Sequence, residues 1–271
     1  MSRSLARIAG IAATGLLCAA GCAASAPTIP PRVEPPPLPV NRDVVQHILR
    51  SSVQVVLERN GERFRTGSGV VIVATPDGTV SECLVLSSGH TFAGVKAGDE
   101  NETYVLFDRH QGGDARVRAE VVARREGPTV DLALLRVQAP HCLPAALGQP
   151  PALGDRIWIV GFPWGRQIRL ISGMVSEVNL DDGASIRTGP SLVVDASVAY
   201  GMSGGGVFDS ATGRLVGLIE GYGTVRVPFG QRPTLQYIDV PVPGETYVTS
   251  LATIERFLQE TGQLNGTLIR H

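Results

Sequence analysis

The chain of 271 residues contains a single lysine, Lys96, so a serine nucleophile worked by a lysine base has almost no candidate. Histidine is nearly as scarce. There are five, His47, His90, His110, His141 and His271, and none stands at metal-ligand spacing with other histidines, cysteines or carboxylates. Neither a metal nor another cofactor is therefore expected. With 24 basic and 25 acidic residues the net charge is −1, which excludes the basic footprint of a nucleic-acid partner. The apolar stretch from Ile8 to Ala20 is too short to cross a bilayer. Only two segments carry a helical pattern, and no internal repeat is visible.

What the N-terminus does contain is a targeting pattern. Arg3 and Arg7 precede the apolar stretch, making residues 1–21 an expected signal peptide. Its end, Ala19-Ala20-Gly21-Cys22, resembles a bacterial lipoprotein processing box in which Cys22 is lipidated, although Ala19 stands where that box usually has Leu. Residues 22–42 then read as the lipid-attachment cysteine and a proline-rich spacer, extended and semi-rigid. The expected location is the cell envelope, with the domain anchored through the lipid on the periplasmic or extracellular side.

Beyond residue 42, short β-branched runs recur with turn signals between them. Val70 to Val73 and Val80 to Leu86 flank Pro76-Asp77-Gly78. Val117 to Ala123, Leu132 to Val137, Ile157 to Val160, Leu192 to Val194 and Leu215 to Ile219 continue the series. Asp43 is placed to cap a helix over Val44 to Leu49, and Ser250 precedes Leu251, Ile254 and Phe257-Leu258 at amphipathic spacing. Many short strands and few helices imply a barrel or sandwich. Pro140 to Gly154 would link two halves, and residues 225–245, rich in proline and glycine, read as an enlarged loop serving as lid or partner surface.

Chemistry concentrates at Gly201-Met202-Ser203-Gly204-Gly205-Gly206, a lone serine among glycines between apolar runs. A serine hydroxyl becomes a nucleophile only with a base and an oxyanion stabiliser, and glycines let successive N–H groups aim at one point. The spacing also fits the nucleophile elbow of α/β-hydrolases, but there the histidine follows the serine, and only His271 does so here. The base and acid must then lie upstream. His90 follows Cys83-Leu84-Val85-Leu86-Ser87-Ser88-Gly89, where a buried strand emerges into a loop. Asp131 opens Leu132-Ala133-Leu134-Leu135, a costly position for a carboxylate unless it is bonded.

In this order Gly67-Ser68-Gly69-Val70-Val71-Ile72, Leu84 to His90, and Asp131 to Leu134 resemble a trypsin-like serine protease. The segments Gly154 to Gly165 and Ile171 to Ser176, and the ending Tyr247-Val248-Thr249 with Ile254 to Leu258, are similar to the HtrA/Deg branch. The resemblance implies an all-β, chymotrypsin-like fold: two six-stranded antiparallel β-barrels with a short N-terminal and a C-terminal helix. One barrel would cover 43–147, the other 148–271.

The resemblance also implies roles. His90, Asp131 and Ser203 would be the catalytic triad, the N–H groups of Gly201 and Ser203 the oxyanion hole, and Ser197, Ile219, Glu220 and Gly221 the primary pocket. Ser197 is no aspartate, so a basic substrate side chain is disfavoured there. Met202 departs from the Asp or Asn found before the serine in relatives, which rules out activation by an ion pair at that position. Cys83 and Cys142 would fall in one barrel and form a disulfide after export. The chain ends soon after its last helix, so no C-terminal PDZ domain is expected, and no aromatic residue occurs between Pro27 and Phe64 to build the family's trimer contact. The oligomeric state stays open. The function implied is an exported serine endopeptidase acting on protein or peptide substrates. The alternative is a catalytically silent, protease-fold lipoprotein that binds peptides.

Overall fold

The computed structural model describes residues 41–262 apart from 78, 96–100, 114, 128, 141, 180–191 and 231–235. The signal peptide, Cys22 and the spacer up to residue 40 lie outside the described residues, as do Lys96, His141 and His271. Two closed six-stranded barrels, antiparallel at every strand pair, make up the body of the chain. The first contains β1 (Ser52–Arg59), β2 (Glu62–Asp77), β3 (Val80–Ser87), β4 (Asn101–Phe107), β5 (Ala115–Arg125) and β6 (Leu132–Ala139), ordered β1-β2-β3-β6-β5-β4. The second contains β7 (Arg156–Gly161), β8 (Arg169–Val178), β9 (Leu192–Asp195), β10 (Gly206–Asp209), β11 (Leu215–Phe229) and β12 (Gln236–Ser250), ordered β10-β11-β12-β9-β8-β7.

The continuous apolar runs have a simple cause. Side chains alternate across a strand, so a strand buried on both faces shows no alternation in sequence. In β3, Cys83 and Val85 fill the first barrel while Leu84 and Leu86 face a second core outside it. In β6, Ala133 and Leu135 point inward and Leu132 and Leu134 outward. That outer core also holds Val160, Phe208 and Leu218 of the second barrel and Ile48, Ile254, Phe257 and Leu258 of the helices. The barrels are thus fused through the outer faces of β3 and β6, and the end of β3 and start of β6 arrive at the seam between them.

Helix α1 (Arg42–Ser51) is capped by Asn41, whose side chain accepts from the N–H of Asp43 and Val44. This corrects the expectation for Asp43, which lies inside the first turn, where its charge suits the helix dipole. Ser250 caps α2 (Leu251–Glu260) by accepting from Thr253 N. The expected loop at 225–245 is instead largely a two-stranded ribbon, with Thr224 to Phe229 paired against Pro241 to Gln236. One of its faces carries Val225, Val227, Phe229, Ile238 and Val240, all exposed; the other carries the Arg226–Asp239 ion pair.

Cys83 of β3 is disulfide-bonded to Cys142, just past β6, with 6.4 Å between Cα atoms and a sequence separation of 59. The chain-entropy model gives such a cross-link about 4 kcal/mol. Reduction under native conditions is expected to lower the denaturant midpoint accordingly. Thiol titration of the denatured protein should find these two cysteines unreactive before reduction.

Candidate active site

Immediately after β3 the chain makes a 3₁₀ turn, Gly89–Phe92, which carries His90. Asp131, 8% exposed at the mouth of β6, holds this residue twice: Oδ1 accepts from the His90 backbone N–H at 2.7 Å, and Oδ2 lies 2.5 Å from Nδ1. A carboxylate on Nδ1 fixes the proton there and leaves Nε2 as the basic nitrogen. The fit depends on Gly89, where a Cβ would collide with the Arg125 carbonyl and come within 2.9 Å of Asp131 Oδ1. Arg65 of β2 clamps the turn by donating to the carbonyls of Thr91 at 3.2 Å and Ala93 at 2.7 Å. The Asp131 hydrogen bond raises the His90 pKa above its usual 6.5, assisted by the charges of Asp131, Glu220 and Glu126 and opposed by burial.

Ser203 lies on the loop between β9 and β10, seated by a residue from the other barrel. Ser68 of β2 donates its N–H to the Ser203 carbonyl at 2.8 Å and its hydroxyl to the Gly201 carbonyl at 2.8 Å. The same hydroxyl accepts from Phe162 N at 2.9 Å, and the Ser68 carbonyl accepts from Ser87 Oγ at 2.8 Å. Ser87 is three residues before His90, so one buried serine ties the Ser203 loop to the His90 turn. Among the described residues, no hydrogen bond joins Ser203 Oγ to His90.

Two peptide units around Ser203 are oriented from their carbonyl sides. The Tyr200 carbonyl accepts from Trp164 N at 2.7 Å, and the Met202 carbonyl from Gly205 N at 2.9 Å. In a trans peptide the N–H points opposite to the carbonyl. The N–H groups of Gly201 and Ser203 are thereby turned away from these partners, and among the described residues neither has an acceptor. Gly201 has φ +90°, and a Cβ there would approach Phe162 O to 2.8 Å and Trp164 N to 2.9 Å. Only glycine fits. Two free N–H donors beside a hydroxyl can stabilise an oxyanion.

Of the residues expected around the primary pocket, Ile219 is buried and bonded through its backbone to Gly204 and Gly205, and Glu220 and Gly221 follow it half-buried. Ser197 is exposed. Met202 is fully buried in the core of the second barrel with Ile159, Val207 and Ile219, where a charged residue would find no partner. Among the described residues, no group of three or more histidines, cysteines or carboxylates could hold a metal. Sequence reasoning assigned no role to Ser68, Gln54 or Trp164. Fully buried Gln54 of β1 donates to the Gly165 carbonyl at 3.0 Å and so supports the turn that presents Trp164 N. The only prior signal was Ser68 between two glycines.

Residues 67–218 match the family model for a trypsin-like peptidase domain. The chloroplastic Protease Do-like 2 of Arabidopsis thaliana is 33% identical over 118 residues, which cover 41% of this chain and 19% of that protein. The chain thus spans about one fifth of this relative. Its fold is shared with the serine endoprotease from Yersinia pestis, at TM-score 0.59 and 18% identity over 83% of this chain and 67% of that one. It is also shared with an inactive form of Rv3671c from M. tuberculosis H37Rv (TM-score 0.56, 21% identity, 86% and 96% coverage). The HtrA-type protease AlgW, with tripeptide, gives TM-score 0.59 and 18% identity over 82% and 63%.

Two substitutions test this geometry. Ser68→Ala leaves a buried N–H and a buried carbonyl without their partner and is expected to cost about 2 kcal/mol, read from chemical denaturation. Gly89→Ala forces Asp131 from the His90 turn. The low-field NMR resonance of a carboxylate-bound Nδ1–H, expected in the native protein, should then disappear.

Proposed function

The chain belongs to the trypsin-like peptidase family, and from that premise we propose that it is an exported serine endopeptidase acting on envelope or extracellular proteins. The observation that carries the reading is the double bond-hold of Asp131 on His90, set one serine away from Ser203. Ser203 Oγ attacks the substrate carbonyl carbon while its proton passes to His90 Nε2. The oxyanion accepts hydrogen bonds from the N–H groups of Gly201 and Ser203. The C–N bond then breaks, His90 returns the proton to the leaving amine, and an acyl-Ser203 remains. Water, deprotonated by His90, adds to the acyl carbon; the ester C–O bond breaks and His90 returns the proton to Ser203 Oγ, which releases the acid.

The walls of the substrate groove in this reading are Ile219, Glu220 and Gly221, with Ser197 at its exposed edge. Export is supported by Arg3, Arg7 and the short apolar core before Cys22, and by a disulfide, which suits an oxidising compartment. Lipid attachment at Cys22 would make the membrane a partner. Among the described residues, no helix is long and apolar enough to cross a membrane. A silent binding protein on the same scaffold draws support from the lack of a hydrogen bond between Ser203 Oγ and His90.

Labelling with a fluorophosphonate decides between them. The wild type should react, while Ser203→Ala and His90→Ala should each lose several orders of magnitude in rate. A wild type that never reacts, with substrate peptides present or absent, would favour the binding protein. Since the base must be neutral and its pKa is raised, the rate should climb with pH through a midpoint above 6.5. For the anchor, Cys22→Ser is expected to move the protein from the membrane to the soluble fraction.

A further inference from the structure

Trp164 combines a strained backbone with an exposed ring. It is a bulky residue in the left-handed region, at φ +57°, and is 64% exposed. Such outliers persist only where surrounding contacts over-determine them, and they cluster at active sites and ligand clamps. Here the contacts hold the backbone of the Pro163–Gly165 turn. The Gly165 carbonyl accepts from Gln54 at 3.0 Å and from Arg63 at 3.5 Å, both in the first barrel, and Trp164 N donates to the Tyr200 carbonyl at 2.7 Å. The ring is left outside. Tyr200, 51% exposed, lies against it, with centroids 5.5 Å apart and the planes tilted by 32°. Two rigid aromatic rings in water make an apolar contact surface that loses little conformational entropy when a ligand packs on it.

Gly201 sets the place of this surface relative to the reacting atoms. Tyr200 directly precedes it, and a Cβ on Gly201 would come within 2.9 Å of Trp164 N. On its other flank the Ser203 loop is bonded to Ile219 of β11 through Gly204 and Gly205. Ser203 therefore stands between β11 and the Trp164 turn. With the acyl part of the substrate along the proposed wall, Ile219 to Gly221, the departing amine faces Trp164 and Tyr200. We infer that these two rings form a binding site for an aromatic side chain on one of the first two residues after the scissile bond. The inference rests on the peptidase reading and adds a substrate class to it.

The site is read by running the acylation step in reverse. 4-Nitrophenyl acetate acetylates Ser203 of the full chain, releasing 4-nitrophenol, and an added amine then competes with water for the acetyl group. The amine nitrogen attacks the acetyl carbon, His90 takes its proton, the Ser203 ester bond breaks, and the proton passes to Ser203 Oγ, leaving an N-acetyl amide. The amines are phenylalaninamide against alaninamide, and glycyl-phenylalaninamide against glycyl-alaninamide. In the wild type the aromatic member of at least one pair should be captured roughly tenfold better, the order that an aromatic contact and its buried area supply. Trp164→Gly, which suits the left-handed backbone, and Tyr200→Ala should bring that ratio close to one, while Trp164→Phe should keep most of it. A ratio taken within one variant cancels the general loss of rate that a merely structural role would produce. If Trp164→Gly does not fold, Tyr200→Ala carries the test. Equal or absent capture by an acetylated wild type, or an unchanged ratio in the variants, overturns the inference and leaves the peptidase reading standing. A wild type never acetylated at Ser203, read by mass after an acid quench, overturns both.

Discussion

Ser68 is the constraint on which the site depends. A buried polar residue is tolerable when its groups are bonded, and Ser68 uses its N–H, its carbonyl and both capacities of its hydroxyl. The four partners, Ser203, Ser87, Gly201 and Phe162, come from both barrels. Apolar packing along the outer faces of β3 and β6 brings the barrels together, but packing alone would tolerate small slides between them. Directional bonds at zero exposure do not. The separation of Ser203 from His90 is thereby referred to one backbone position in the middle of β2.

A second chain of contacts carries backbone orientation rather than distance. Gln54 holds Gly165, the 163–165 turn presents Trp164 N, and Trp164 N holds the Tyr200 carbonyl so that Gly201 N–H faces the other way. This arrangement has a local cost. Trp164 is left-handed at φ +57°, about 1–3 kcal/mol for a bulky residue. Gln54 Oε1 is buried with no partner among the described residues. Strain and an unmet acceptor at one spot mean that the surrounding contacts over-determine it. The exposed Trp164 ring stacks beside exposed Tyr200, with centroids 5.5 Å apart, so the same turn also shapes the surface over the site.

Fold class was legible because strands buried on both faces, such as Cys83 to Leu86 and Leu132 to Leu135, leave unbroken apolar runs that end in polar turns. His90 and Asp131 were legible as candidates because each stands at an end of such a run, and Ser203 because it is a lone serine among glycines. Ser68 was not, since its meaning lies in partners far along the chain, and nothing local separates a tethering serine from an idle one. The ribbon was misread as a loop because Pro228 and Pro241 argue against strands. Among the described residues, however, its outer edges carry no further strand, so a missing N–H there breaks no ladder bond. That Glu220 falls at a bulge was not legible either, because a register shift between two strands leaves no mark in the sequence of one.

The charges of the site set its stability against its proposed chemistry. His90 has a raised pKa in the fold, so its contribution to stability is fully present below its ordinary value of 6.5 and fades as pH rises through the higher folded value. Glu220 is also raised, and its contribution likewise fades as it ionises. Both terms therefore fall along the direction in which His90 becomes the neutral base that acyl transfer requires. Met202 adds no compensating charge from behind the nucleophile, because it is packed in hydrocarbon. What holds the geometry once those charges turn unfavourable is the uncharged part of the site: the Ser68 bonds, the fused cores of the two barrels, and the Cys83–Cys142 bridge on the strand that leads into the His90 turn. Those contacts do not titrate in this range, and they leave the imidazole free to change its protonation without moving the serine it serves.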